Sequence, residues 1–65
     1  MYKITEKKYG SSISYLLDTP TVVQNVIWNK IDEKEGCKAY SISLRLNVGD
    51  EFISNKYNYS IKRIE

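Results

Sequence analysis

A strict two-residue alternation of apolar and polar side chains over residues 39–48 constrains the fold more than any other feature of the sequence. The apolar positions are Tyr40, Ile42, Leu44, Leu46 and Val48, and the residues between them are polar. This period is typical of a half-buried β-strand, whereas an α-helix would distribute the same apolar residues around its circumference. The pattern therefore predicts the central strand of a sheet.

Shorter alternating segments on both sides of this stretch predict further strands. They lie at 2–8, 13–17, 51–54 and 57–64, and turn signals rich in Gly, Ser and Asn separate them. Three lysines in the first segment are typical of a strand at a sheet edge, where positive charge discourages pairing with other chains.

The segment after the second predicted strand allows two interpretations. In the first, its many β-branched and aromatic residues favour a strand at 22–31. In the second, Thr19 or the aspartate before it caps a helix, Pro20 occupies the first turn, and Gly36 ends the helix. The strand interpretation also places the apolar residues of three successive strands on one face, and we prefer it.

The preferred interpretation gives an all-β fold, a small antiparallel meander of five or six strands that closes into an OB- or SH3-like barrel. The alternative is an α+β fold, an antiparallel sheet covered by one helix at about 20–35. The 65 residues form a single small domain at 1–65. With one cysteine and no histidine, stability is expected to come from regular packing, self-association or a partner.

The residue inventory argues against catalysis, because without histidine a nucleophile would need a lysine or a carboxylate as its base. Cys37, beside Lys38, is interpreted as a free thiol with no catalytic role. Asp32, Glu33 and Glu35 lack the ligand spacing of a calcium loop and are interpreted as solvated turn charges. We expect no enzyme activity, no catalytic residue, no cofactor and no metal.

A surplus of apolar side chains is the strongest functional signal. Under the strand interpretation, four of them face away from the core and form a second apolar strip. These positions are Leu16, Val23, Ile27 and Ile31. Because exposed apolar strips mark partner surfaces, we expect a small non-enzymatic binding protein that acts through protein–protein interaction or self-association. An edge strand at 2–8 or 51–54 could instead pair with a strand of the partner.

A small barrel that binds single-stranded nucleic acid is the alternative function. Six tyrosines are available for stacking on bases, and Arg45, Lys62 and Arg63 are the candidate phosphate contacts. The net charge of +2 is small for such a protein.

Frequent Lys, Ile, Asn and Tyr, with sparse Ala, Gly and Pro, indicate an AT-rich coding genome. Short reading frames of this composition are common in phages and mobile elements, so inhibition of a host protein is the expected role. No apolar run reaches the length of a membrane span, and the N-terminus lacks the apolar region of a secretory signal. A cytoplasmic location without membrane association is expected.

Overall fold

Two helices occupy the middle of the chain, where the alternation predicted the middle of a sheet. The computed structural model describes residues 1–65 and contains four antiparallel strands in one open sheet, with both helices on one of its faces. The elements are β1 (Tyr2–Lys8), β2 (Ser11–Leu17), α1 (Pro20–Lys30), α2 (Glu33–Arg45), β3 (Glu51–Ser54) and β4 (Tyr59–Arg63). The prediction of an all-β barrel is wrong: the fold is α+β and its sheet does not close.

The predicted central strand at 39–48 is mostly helix α2, and its first turn shows why. The side chain of Asp32 caps the helix by accepting a hydrogen bond from the backbone N–H of Glu35, at 2.8 Å. Glu33 and Glu35 place negative charge in the first turn and Arg45 places positive charge in the last, which complements the helix dipole. Asp32 with Glu35 three residues later is a helix-start signal that the alternation obscured.

The buried side of α2 consists mainly of small residues. Gly36, Ala39 and Ser43 recur at helical spacing and are buried, whereas Leu44 is exposed. Of the alternating apolar residues, Tyr40 and Ile42 are half-buried on α2, Leu44 is exposed, and Leu46 and Val48 lie beyond the end of the helix. A period analysis based on large apolar side chains misses a helix whose contact face is made of Gly, Ala and Ser.

Helix α1 begins where the helical interpretation placed it. Thr19 is its N-cap, with the hydroxyl accepting from the N–H of Val22 at 3.3 Å, and Pro20 occupies the first position. The helix ends at Lys30, and Gly36 lies inside α2 instead of terminating α1. A Cβ atom added to Gly36 would lie 2.9 Å from Cβ of Trp28, so this glycine permits the close approach of the two helices.

The strand order is β2-β1-β4-β3, and every neighbouring pair is antiparallel. Ile4 lies opposite Tyr15 on β2 and opposite Ile61 on β4, and Ile61 lies opposite Phe52 on β3. These four side chains form one row beneath the helices. The first strand is therefore central, and its predicted position at an edge is wrong, whereas the strand at 51–54 is an edge as predicted.

The core lies between the sheet and the helices. Each large aliphatic side chain buried there stabilises the fold by roughly 1.5–3 kcal/mol. Its buried hydrophobic members are Tyr2, Ile4, Val23, Ile27, Ala39, Tyr59 and Ile61. The hydroxyl of Tyr2 donates to the backbone carbonyl of Ser43 at 3.1 Å, which links β1 to α2 through the core.

Candidate protein-binding edge of the sheet

β2 is a long edge strand with no protective feature. It pairs with β1 on one side only, and its seven residues include no charged residue and no proline. Native proteins usually protect such an edge with charges, proline, a bulge or a short strand, because an unpaired edge accepts strands from other chains. β2 has none of these.

The hairpin between β1 and β2 determines which backbone groups of β2 are free. Tyr9 and Gly10 form its two-residue loop, both with positive φ (44° and 82°), as a type I′ turn requires. The flanking pair, Lys8 and Ser11, is then a hydrogen-bonded pair, and hydrogen-bonded pairs recur at every second position.

The residues of β2 between these pairs direct their N–H and C=O groups away from β1. They are Ser12, Ser14 and Leu16, and they present three donors and three acceptors to a neighbouring strand. The pairing of β1 with β4 confirms this alternation. Lys7 lies opposite Ser12, and its N–H donates to the carbonyl of Asn58 at 2.9 Å, on the β4 side and away from β2.

Apolar side chains flank this backbone edge on both faces of the sheet. Leu16 is 64% exposed on the face without helices, and Ile13 is 45% exposed on the face with helices. Helix α1 packs on α2 and β1 and leaves β2 at the margin of the sheet. A strand added to β2 would therefore meet free hydrogen-bonding groups and apolar side chains together.

The Glu6 carboxylate beside β2 is paired with two lysines of the same chain. Glu6 is a buried residue of β1 that lies opposite Ile13 of β2. Its Oε1 is 3.3 Å from Nζ of Lys30, and its Oε2 is 3.9 Å from Nζ of Lys8. The Lys30 ammonium also lies 5.1 Å from the ring centre of Tyr15. Hydrogen bonding to Tyr15 and to Glu6 raises the pKa of Lys30, so Lys30 stays charged and paired next to the edge.

The opposite edge, β3, is protected. It has four residues, of which Glu51 is charged. The N–H of Arg63 donates to the carbonyl of Asp50, so the same alternation leaves only Glu51 and Ile53 with backbone groups directed outward. On the helix side, Nζ of Lys38 lies 5.8 Å from the ring centre of Phe52 and covers it.

A buried hydrogen bond joins the β3–β4 side of the sheet to α2. The Tyr59 hydroxyl donates to Oε2 of Glu35 at 2.7 Å, and both residues are buried. Burial of Tyr59, with the adjacent Glu35 carboxylate, raises the pKa of this phenol well above its ordinary value of 10.0. The pair has a structural role, because it satisfies a buried carboxylate and fixes β4 to the helix layer.

The face of the sheet without helices, here called the open face, is polar. Lys3, Lys7 and Lys62 lie on it among serine and threonine hydroxyls, and next to the β3–β4 loop it contains a cavity of about 270 Å³ lined mostly by polar groups. None of the six tyrosines is on this face. Tyr2, Tyr15 and Tyr59 face the helices, Tyr40 is on α2, Tyr57 packs against the core, and Tyr9 is at the hairpin tip.

The three predicted phosphate contacts are not brought together. Arg45 is exposed in the last turn of α2, and Lys62 is on the open face. Arg63 is engaged within the chain: its Nη1 donates to the carbonyl of Leu46 at 2.9 Å and its Nε donates to the carbonyl of Glu65 at 3.0 Å. The combination of stacking rings and a basic groove is therefore not assembled on one surface.

The four residues of the predicted apolar strip are also separated. Val23 and Ile27 are fully buried in the core, and Ile31 packs against it, so these three lie beneath the surface of α1 and the turn that follows. Only Leu16 is at the surface, on β2. The strip required a strand at 22–31, and the helix there turns the same residues inward.

The remaining candidates for chemistry are dispersed or occupied. Cys37 is exposed on α2, and its sulfur accepts a hydrogen bond from the Gln24 amide at 3.6 Å. Asp32 and Glu35 were predicted in a solvated turn. Asp32 instead caps α2, and Glu35 accepts a hydrogen bond from Tyr59. No group of three or more His, Cys, Asp or Glu side chains is placed to hold a metal ion. Neither helix has the length and apolar character needed to cross a bilayer.

Sequence reasoning missed Ser12 and Ser14, whose contribution is made through the backbone. The signal was available: a hairpin loop at Gly10 followed by seven residues without charge predicts an unprotected strand. What the sequence did not reveal is that this strand, and not the lysine-rich one before it, lies at the edge. No protein-family model, curated protein or solved structure matches the chain.

Proposed function

We propose that this chain is a non-enzymatic protein-binding module whose β2 edge accepts a β-strand from a partner protein. One observation carries the proposal: β2 offers six outward backbone hydrogen-bonding groups along an uncharged edge strand of seven residues. In strand addition, the backbone bonds supply affinity and alternating side chains supply specificity.

The side chains of β2 indicate what the incoming strand would carry. It would meet Leu16 on the open face and Ile13 and Tyr15 on the helix side, and it would meet no charged residue of β2 itself. An uncharged strand with apolar residues on both faces matches this surface. A partner strand held in this way is unavailable for its own sheet, and an inhibitor of small size would act by this withdrawal.

A pair of proline variants at the two edges tests the proposal. Ser14→Pro removes an outward N–H of β2, and Ile53→Pro removes an outward N–H of β3; neither N–H belongs to a ladder of the sheet. Proline is tolerated at such edge positions. The immobilised wild-type chain and both variants are used to capture proteins from nuclease-treated lysate of the natural host.

We expect the wild type and Ile53→Pro to retain the same protein and Ser14→Pro to lose it, with circular dichroism showing that both variants are folded. Equal capture by the two proline variants would place the binding surface elsewhere. Capture that disappears with nuclease treatment would support a nucleic-acid partner instead.

A further inference from the structure

We infer that the partner strand at β2 is β2 of a second copy of this chain, paired antiparallel about a two-fold axis through Ser14. This inference rests on the proposed function, because it assigns the occupant of the same edge. The result is a symmetric dimer with one continuous eight-stranded sheet, in the order β3-β4-β1-β2 in one copy and the reverse in the other.

The register follows from the positions of the free backbone groups. With Ser14 opposite Ser14 of the second copy, Ser12 lies opposite Leu16, and all three outward residues of each strand form hydrogen-bonded pairs. This arrangement uses every free donor and acceptor between Ser12 and Leu16 in both copies. A shift by two residues in either direction leaves at least one of these pairs unformed.

The side chains of β2 are complementary to themselves in this register. Ile13 lies opposite Tyr15 of the second copy on the helix side, in a non-hydrogen-bonded pair where side chains approach most closely. Ile13 is 45% exposed in the single chain and Tyr15 is half-buried, so each would gain cover from the other. On the open face, Leu16 packs beside Ser12 of the second copy.

The charges at the interface also favour a second copy. β2 is uncharged, so the two-fold axis brings no like charges together, and Lys30 is already paired with Glu6 at 3.3 Å. The register places Asp18, the residue after β2, opposite Gly10 of the other copy. Lys7 and Lys8 lie on β1 opposite Ser12 and Ser11, so Asp18 would lie near the basic end of the other hairpin.

Cysteine substitution tests both the dimer and its axis. In a Cys37→Ser background, Ser14→Cys places two thiols across the two-fold axis, at the Cα separation of about 5.5 Å that a hydrogen-bonded antiparallel pair provides and a disulfide accepts. The matched control, Ser12→Cys in the same background, places its thiol opposite Leu16 of the second copy. Mild oxidation of each variant is followed by non-reducing gel electrophoresis.

We expect Ser14→Cys to become a covalent dimer almost completely and Ser12→Cys at least ten-fold less. In sedimentation velocity the wild type is expected at twice the 7.6 kDa chain mass, and Ser14→Pro at the mass of one chain. Equal cross-linking at the two positions, or a monomeric wild type at all concentrations, would overturn the inference. If the wild type is a monomer and Ser14→Pro still abolishes capture of another protein, the dimer is rejected and the proposed function stands. If the wild type is a monomer and Ser14→Pro captures as much as the wild type does, both proposals are rejected.

Discussion

β2 and β3 border the same sheet, but β3 is four residues long and carries Glu51, whereas β2 is seven residues long and carries no charge. β2 also has more residues with outward backbone N–H and C=O groups, three against two on β3. Since an edge strand is normally shortened or charged to prevent pairing with other chains, β3 has this protection and β2 does not.

The helix layer reinforces this asymmetry. Three contacts hold the β3–β4 side to α2: Tyr59 with Glu35, Arg63 with the Leu46 carbonyl, and Lys38 over Phe52. On the β2 side the corresponding polar contact is Lys30 over Tyr15. On this side the helix-facing residues Tyr15 and Leu17 of β2 pack against the core, whereas Ile13 near the hairpin remains 45% exposed.

Tyr15→Pro is expected to lower stability more than any other variant, because the N–H that it removes is on the side of β2 that pairs with β1. The N–H of Tyr15 points toward Ile4 on β1, so Tyr15→Pro removes a ladder bond, at a cost of about 1–3 kcal/mol in addition to that of the lost ring. Ser14→Pro, one residue away, removes no ladder bond but loses the hydroxyl hydrogen bond between Ser14 and Thr5, and it is expected to cost about 1 kcal/mol. Urea denaturation of both variants measures the difference.

Tyr15→Ala is the control for the lost ring, and its cost is subtracted from that of Tyr15→Pro. If Ser14→Pro proved as destabilising as Tyr15→Pro after this correction, the assignment of inward and outward N–H groups on β2 would be wrong.

The protected side of the sheet is tested by Tyr59→Phe, for which we expect a smaller effect. This change leaves the buried Glu35 carboxylate without its donor, and the free energy of unfolding should fall by about 1–3 kcal/mol. Tyr2→Phe is the matched control, since it removes a buried phenol that donates to a neutral carbonyl, and it should cost about 1 kcal/mol. If Tyr59→Phe is no less stable than Tyr2→Phe, the hydrogen bond from Tyr59 to Glu35 does not have the stabilising role assigned to it here.

The stabilisation that Tyr59→Phe removes is expected to depend on pH. Because the pKa of Tyr59 is raised in the folded chain, the unfolded chain loses this proton first, and the stabilisation is complete below pH 10.0 and declines above it. The stability difference between wild type and Tyr59→Phe should therefore shrink as pH rises from 8 to 11. The pKa of Lys30 is also raised, by hydrogen bonding to Tyr15 and Glu6, but Lys30 is present in both proteins and its contribution cancels.

The strands of the sheet could be predicted from sequence because their large apolar residues lie on one face. The strands predicted at 2–8, 13–17, 51–54 and 57–64 follow from two-residue alternation, and the structure confirms a strand in each segment. The helices could not be predicted in the same way. The buried side of α2 is made of Gly36, Ala39 and Ser43, and such small residues carry little hydrophobic signal.

The candidate site depends on topology more than on composition. The apolar strip failed because a helix at 20–30 turns Val23 and Ile27 into the core, whereas Leu16 remains exposed on its strand. Of the two predicted edge strands, 51–54 is an edge and 2–8 is not, because β4, from the far end of the chain, pairs with the other side of β1. No local pattern predicts that long-range pairing.

Amide hydrogen exchange tests directly whether β2, and not β3, is the pairing edge. Exchange rates are measured by NMR at micromolar and at millimolar chain concentration for the outward amides of the two edges. We predict that Ser12, Ser14 and Leu16 become protected as concentration rises, while Glu51 and Ile53 exchange rapidly throughout. Rapid exchange of the β2 amides at every concentration would contradict pairing between two copies at β2, and protection that appears on β3 would contradict the choice of β2 as the pairing edge.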